Sequence, residues 1–410
     1  MDLPGINPQL LTLIPRLARG LGYQRVALVG GAVRDGLLNQ KPGTASSVLQ
    51  DFDFVVEGDA LPLAEALQHF CGTKRVPWFR SHPAFQTVAM EVDGLSFDLA
   101  SARRETYPAP AENPVVEMGS LELDLTRRDF TINAMALVLK ETTAALELLD
   151  PYQGAEHLLN GELVFLHDDS VKDDPTRVVR AARYASRFGF VLREDAREQV
   201  FVTVRDWPWS WRCGDDPATS PPALSTRLRM ELELLFDQEP WCQALQNLHD
   251  WGAFALIDVG LQADPQRLLR LRWAQRLGLP LLPALLLGAE QPQAVAERLQ
   301  LPLLQQRWLG QVEELLMWME SSSSDAPQSH WSPADWTMAL EAKGWNVEAV
   351  GLAVAIGHRY WRPLLRWCGR WRHLRAAESA QQLLDQGWTS GPALGAELRR
   401  RRMERLAVTR

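Results

Sequence analysis

The sequence predicts a mixed α+β region carrying a small sheet, followed by a remainder that is almost entirely helical. Three observations predict it. Short apolar runs at Val26–Val29 and Phe52–Val56, and two flanking Asp93-Gly94, have strand length and alternate with helical periods. From Pro175 onward helical periodicity takes over. The chain has 410 residues, more than one domain ordinarily holds, and suits about two to four domains.

Each element follows from its local pattern. Residues 10–21 and 61–70 carry apolar side chains at helical spacing. Residues 85–92 and 95–99 read as a hairpin, because Asp-Gly favours the tight turn that joins antiparallel strands. Residues 101–120, rich in proline, glutamate and small side chains, read as a loop. Residues 130–139 read as a helix, and 145–149 with 163–166 as a strand pair. This amounts to a mixed or mostly antiparallel sheet. Residues 207–222 and 321–333, with their prolines and serines, read as boundaries or surface loops.

Composition excludes several classes. No run of eighteen apolar residues occurs, so no transmembrane helix is expected. The first residues lack the basic-then-apolar pattern of a secretory signal. The four cysteines, Cys71, Cys213, Cys242 and Cys368, are far apart, which suits a reducing cytoplasm and argues against structural zinc. The eight histidines form no HExxH, and neither a Walker-type phosphate loop nor GxSxG is present. No protein partner can be deduced.

A net charge of −8 does not describe a general nucleic-acid binder. Basic residues cluster locally instead: Arg177, Arg180, Arg183 and Arg187; Arg362, Arg366, Arg370, Arg372 and Arg375; and Arg399 to Arg402 with Arg405 and Arg410. RNA would have to meet these patches rather than the average surface. Fifteen of the sixteen tryptophans lie after residue 200, where they chiefly fill helix–helix cores. Trp361, Trp367 and Trp371, set among arginines, are candidates for RNA contact.

The chemistry concentrates in a few segments. Gly30-Gly31-Ala32-Val33-Arg34-Asp35 ends one strand and opens a helix, where free N–H groups favour an anion. Glycine lets the backbone approach a ligand, and Arg34 supplies a planar charged fork for phosphate. Asp35 reads as a structural partner for an arginine or a backbone amide. Asp51 and Asp53, two apart on a strand, face one side. An isolated pair of this kind is ordinarily two solvated acids. Beside an anion-binding turn it suits Mg²⁺ bound against a nucleoside triphosphate. Asp98, on a strand of its own, is equally an ordinary exposed acid or a third ligand. Asp174, Arg177, Arg180 and Arg183 recur every three residues as a stripe on one helix, with Val178, Val179 and Tyr184 on the other face.

Together these motifs resemble the polymerase beta-type nucleotidyltransferase superfamily. Arg127-Arg128-Asp129-Phe130-Thr131-Ile132-Asn133-Ala134, Asp173-Asp174-Pro175-Thr176-Arg177 and Arg227-Leu228-Arg229-Met230-Glu231-Leu232 narrow the resemblance. They resemble motifs of the tRNA nucleotidyltransferase and bacterial poly(A) polymerase family, class II CCA-adding type. The resemblance runs in order from about Val26 to Phe236 and fades beyond into a generic helical pattern.

It implies a nucleotidyltransferase head over residues 1–140, a nucleotide-selecting neck over 141–205, a helical body over 206–320 and an RNA-binding helical tail over 321–410. It implies Asp51 and Asp53 as catalytic metal ligands for Mg²⁺, and Gly31, Arg34 and Arg128 as nucleotide ligands. Asp174 and Arg177 would read the amino-bearing edge of cytosine or adenine, with Arg180 and Arg183 supporting the stripe and the phosphates. Asp173 departs from the family, which commonly has Glu there. The implied activity is template-independent addition of CMP and/or AMP from CTP and ATP to the tRNA 3′ end. Addition of CC only, addition of A only, poly(A) synthesis, or a non-catalytic RNA-binding role on the same fold are the alternatives. The segment from Arg103 to Ser120 resembles A-adding members, and the lack of a strongly basic tail disfavours poly(A) synthesis.

Overall fold

The computed structural model describes residues 5–40, 52–83, 86–141, 146–323, 326–328 and 330–409. The expected metal ligand Asp51 lies outside these residues, as do Phe85, Ala145 and Arg410, which belonged to expected strands and a basic cluster. The described chain divides into two units. One comprises Met1–Arg212 with Pro221–Ala253, and the other Cys213–Ser220 with Phe254–Arg410.

The first unit is built on seven strands: β1 (Val26–Val29), β2 (Phe52–Val56), β3 (Phe79–His82), β4 (Thr87–Val92), β5 (Leu95–Ser101), β8 (Ala136–Val138) and β9 (Glu147–Leu149). Their order is β3-β4-β5-β2-β1-β8-β9, and only β2 and β5 run parallel. This is the expected mixed sheet. Val26–Val29 and 54–56 are wholly buried, so the sheet centre lies between layers and reads as continuous apolar runs rather than alternation. Asp93 and Gly94, at φ of 53° and 82°, form the expected β4–β5 turn.

Helices α1 (Pro8–Gly20), α2 (Gly31–Leu38) and α3 (Ala60–Cys71) flank the sheet. Asn7 and Asp59 cap α1 and α3 by accepting from Gln9 and Leu61 amides. Helix α4 (Leu121–Thr126) is followed by α5 (Gly154–Asn160), α6 (Ser170–Asp173), α7 (Thr176–Phe188), α8 (Glu194–Asp206), α9 (Thr226–Gln238) and α10 (Trp241–Asp250).

Three expectations are corrected. The expected helix over 130–139 is a 3₁₀ turn, Thr131–Asn133, followed by strand β8. Between β1 and β9, these apolar residues gain ladder hydrogen bonds and burial on both sides, which outweigh helical spacing. The expected loop over 101–120 holds a two-stranded ribbon, β6 (Arg103–Thr106) and β7 (Val115–Met118). The expected strand pair does not form. β9 joins the main sheet, while β10 (Glu162–Leu163) runs parallel to β11 (Val191–Leu192).

The second unit is helical, as expected. It contains α11 (Arg267–Arg276), α12 (Leu281–Leu286), α13 (Pro292–Arg298), α14 (Leu303–Glu320), α15 (Pro333–Lys343), α16 (Val347–Ile356), α17 (Trp361–Gly369), α18 (Ala380–Asp385) and α19 (Pro392–Ala407). Its core gathers Trp318, Trp336, Trp345, Trp367 and Trp371 around Leu340, Val350 and Leu364. Trp367 and Trp371 are 4% and 3% exposed, so they are core residues rather than RNA contacts. Trp361 is half-buried, beside Trp273 and under the Arg362 guanidinium. In the C-terminal arginine run, Arg400 pairs with Glu397 and Glu404, Arg401 with Glu378 and Glu397, and Arg402 with Glu341.

Candidate active site

The β1–α2 turn is shaped for close approach. Gly30 has φ of 68°, and a Cβ there would stand 3.1 Å from Arg128 Nη1 and 3.7 Å from Asp53 Oδ2. Only glycine fits that conformation and that crowding. Gly31 opens α2, and Val29 pairs with Asp53 across β1 and β2, so ladder register brings the acid to the mouth of the turn. Asp98 sits level with Asp53 on neighbouring β5 and is exposed.

Arg34 is 5% exposed. Its Nε and Nη2 donate to the Asp35 carboxylate, and its Nη1 donates to Asn133 Oδ1 at 2.9 Å. The guanidinium lies 5.3 Å from the Tyr184 ring centroid and 4.8 Å from that of Phe188. Burial disfavours its charge, yet Asp35 more than offsets this and holds the group firmly protonated. Asp35 is the structural partner expected of it, with Arg34 itself as the recipient.

Arg128 donates from Nη2 to Asp124 Oδ2 at 2.8 Å. Its Nε is buried and has no hydrogen-bond partner among the described residues. A donor left over in a half-buried guanidinium is what an arriving anion would take up. Asp129 does not cap a helix. It accepts from Phe130 N, Asn133 Nδ2 and Arg180 Nη1 instead. Burial raises its pKa, but Arg180 and these hydrogen bonds outweigh burial and hold the carboxyl below its ordinary range.

Residues around the start of α7 supply a further part of the lining. Asp174, 2% exposed, lies between α6 and α7 and accepts from Thr176 N and Oγ1, while its second oxygen takes a charged hydrogen bond from Arg227. Burial works against its charge, and Arg227, Arg177 and Arg180 overcome it, so Asp174 stays ionised below the usual carboxylate range. Arg177, also 2% exposed, donates to the carbonyls of Ser170 and Arg127. Arg180 binds Glu231 and Asp129.

These groups line one cavity of about 860 Å³. Gly30, Gly31, Arg34, Asp53 and Arg128 form one part of the lining, and Asp174, Arg177 and Arg180 another. Arg183 is not brought there. It is buried against Glu231 and Glu239, so it braces the helix instead of facing a ligand. Arg187, Arg227, Arg127, Arg103, Tyr107, Asn113 and Tyr184 line the cavity without having been singled out as ligands. Arg187 lies four residues beyond Arg183 on the same helix and belongs to the basic cluster noted in the sequence, which was a usable signal. Tyr107 and Asn113 come from the ribbon read as a loop, where no periodicity marks them. The lining carries eight arginines (34, 103, 127, 128, 177, 180, 187 and 227) against four acids (53, 105, 129 and 174). Such an excess suits a polyanion. The volume lies in the range of small-molecule sites.

A divalent cation is tested by the donor set. Asp53 Oδ2 stands at the glycine turn beside Arg128, so a hard oxygen donor and phosphate-binding groups share one place, which fits a metal-bound triphosphate. Among the described residues no three potential ligands cluster, and Asp51 lies outside them.

Residues 26–164 match the Poly A polymerase head domain, which places the head in the nucleotidyltransferase class. A CC-adding tRNA nucleotidyltransferase of Deinococcus radiodurans is 38% identical over 303 residues, 72% of this chain and 72% of that one. An A-adding tRNA nucleotidyltransferase of Aquifex aeolicus is 40% identical over 180 residues, 44% of this chain and 20% of the relative. In fold, an apo CCA-adding enzyme superposes with a TM-score of 0.72 over 98% of this chain and 92% of that chain, at 24% identity. The chain belongs to the tRNA nucleotidyltransferase and poly(A) polymerase family.

Proposed function

We propose that this protein is a tRNA 3′-end nucleotidyltransferase that adds CMP and/or AMP from CTP and ATP without a nucleic-acid template. In that reaction the terminal tRNA hydroxyl attacks the α-phosphorus. A P–O bond forms, the bond to the β-phosphate breaks, pyrophosphate leaves and the hydroxyl proton departs. The observation that carries the reading is the single cavity lined both by Gly31, Arg34, Asp53 and Arg128 and by Asp174, Arg177 and Arg180.

Arg34 and Arg128 would hold the triphosphate, the first as a preset fork and the second through its unpartnered Nε. The Gly31 amide would add a donor at the start of α2. Asp51 and Asp53 would hold Mg²⁺, which when bound supplies charge neutralisation at the phosphates. Asp174 already accepts three hydrogen bonds, and a carboxylate has about four acceptor sites, so one remains for an exocyclic amine of cytosine or adenine. Arg177 would donate to the adjacent ring acceptor. Arg180 and Arg183, tied to Glu231, would keep this stripe in place before the nucleotide arrives.

The tail's arginine patches, apart from the ion-paired Arg400, Arg401 and Arg402, are the surfaces we assign to tRNA, with the neck, body and tail divided near residues 140, 205 and 320. No helix among the described residues is long and apolar enough to cross a membrane. Four free cysteines accord with our assignment to the reducing cytoplasm.

The test is incubation with labelled CTP or ATP, Mg²⁺ and tRNA transcripts ending before the first C, after CC, or after CCA. The pattern of label separates CCA, CC-only and A-only addition. Repeated AMP addition to any RNA end would make the protein a poly(A) polymerase.

A further inference from the structure

The ribbon β6–β7 ends in a loop that carries Tyr107, Asn113 and Pro114 to the cavity wall. Ala111 lies in that loop. It is 0% exposed and sits at φ of 65°, a conformation unfavourable for a residue with a Cβ. Its N–H donates to the Asp173 carbonyl at 3.1 Å, and its carbonyl accepts from Ala223 N at 3.1 Å. Asp173 immediately precedes Asp174. Ala223 lies in the short 3₁₀ turn Pro222–Leu224 that leads into α9 and Arg227. One residue is therefore bonded to both segments that carry the Asp174–Arg227 pair. A non-glycine residue persists in the left-handed region only where its surroundings over-determine it.

We propose that Ala111 is a positioning residue whose backbone clamps the β6–β7 loop to both carriers of the Asp174–Arg227 pair and so holds the base end of the nucleotide cavity in shape. The proposal rests on the function above in taking that cavity to hold a nucleotide. Loosening the clamp lets the Tyr107–Asn113 wall and the Asp174–Arg227 pair move independently. The phosphate end, built on Gly30, Arg34 and Arg128, shares no hydrogen bond with Ala111 among the described residues and keeps its grip. Base discrimination falls, while triphosphate and tRNA affinity hold.

Ala111→Pro removes the N–H and forbids the positive φ. Ala111→Gly keeps both hydrogen bonds and accepts the φ without strain. The measurement is the ratio of kcat/KM for the preferred nucleotide over the other three, with KM for tRNA alongside. We expect Ala111→Pro to lower the ratio about tenfold with KM for tRNA unmoved, and Ala111→Gly to stay within about twofold of the parent. A well-folded Ala111→Pro protein with the parental ratio overturns the proposal. Should that variant fail to fold, hydrogen exchange on the unaltered protein decides. The clamp predicts a protected Ala111 amide within an otherwise exchanging loop, and free exchange there overturns it. Failure of the functional reading looks different: the parent adds no nucleotide, while exchange still reports the clamp.

Discussion

Arg34 shows how a single residue was half legible in sequence. Its place after two glycines at a helix start marked it for phosphate, because that signal is local. What presets it is not local: Asn133 arrives from 99 positions away, and Tyr184 and Phe188 from α7. Lysine in its place would keep the charge but lose the fork and the stacking. Arg34→Lys should raise the KM for nucleotide at least tenfold, roughly the worth of one charged hydrogen bond, with tRNA affinity unchanged. Equal KM values in parent and variant would remove Arg34 from the triphosphate site.

Asp174 changes meaning once its partners are known. Sequence suggested an acid free to read a base, whereas the folded chain commits it to Thr176 and Arg227 as well. Asp174→Ala therefore strands the half-buried Arg227 guanidinium and would confuse selection with loss of stability. Asp174→Asn is the cleaner variant, since it keeps the shape. It should let UTP or GTP compete by about 1–3 kcal/mol in kcat/KM, read as efficiency ratios on matched tRNA ends. Uniform loss for all four nucleotides would make the acid purely structural. The pH dependence follows in sign. A carboxyl held below its unfolded value of about 3.9 contributes stability that is complete above that pH. The contribution disappears as pH falls through the folded pKa. The acid limb of the parent's stability curve should be steeper than that of Asp174→Asn.

At the scale of elements, spacing located β1, β2, the β4–β5 hairpin and the long helices, because each has its own period or turn dipeptide. It failed where partners decide. Ala136–Val138 is a strand because β1 and β9 flank it. Arg103–Thr106 and Val115–Met118 pair across a proline-rich connection, and four residues are too few to show alternation. Most of the late tryptophans fill the helical core as expected, but Trp367 and Trp371 were misread as RNA contacts, since flanking arginines in sequence do not show which way an indole packs. Trp367→Ala should cost about 3–5 kcal/mol as a buried aromatic, read as a drop in the unfolding temperature of the helical unit. A weakened tRNA affinity with an unchanged unfolding temperature would instead restore Trp367 to the RNA surface. Arg402, bound to Glu341 of α15, belongs with the structural group, so its loss should be felt as a small change in stability, about 0.5 kcal/mol.

For the whole molecule, the acidic total conceals a cavity lined by twice as many arginines as acids, which is why net charge alone misleads about substrate. The family was legible in the ordered motifs, since glycine turn, acids and arginine stripe keep their spacing along the chain. The cavity they share was not, because it needs the sheet register and the neck packing together. If this cavity performs nucleotidyl transfer to tRNA, transfer depends on Asp53. The most direct measurement is single-turnover transfer of labelled CMP and AMP to tRNA transcripts lacking all or part of CCA, comparing the parent with Asp53→Asn. The parent should incorporate label, and Asp53→Asn, at the parental unfolding temperature, should lose several orders of magnitude. Undiminished incorporation by Asp53→Asn, or none by the parent on any of these ends, would contradict it.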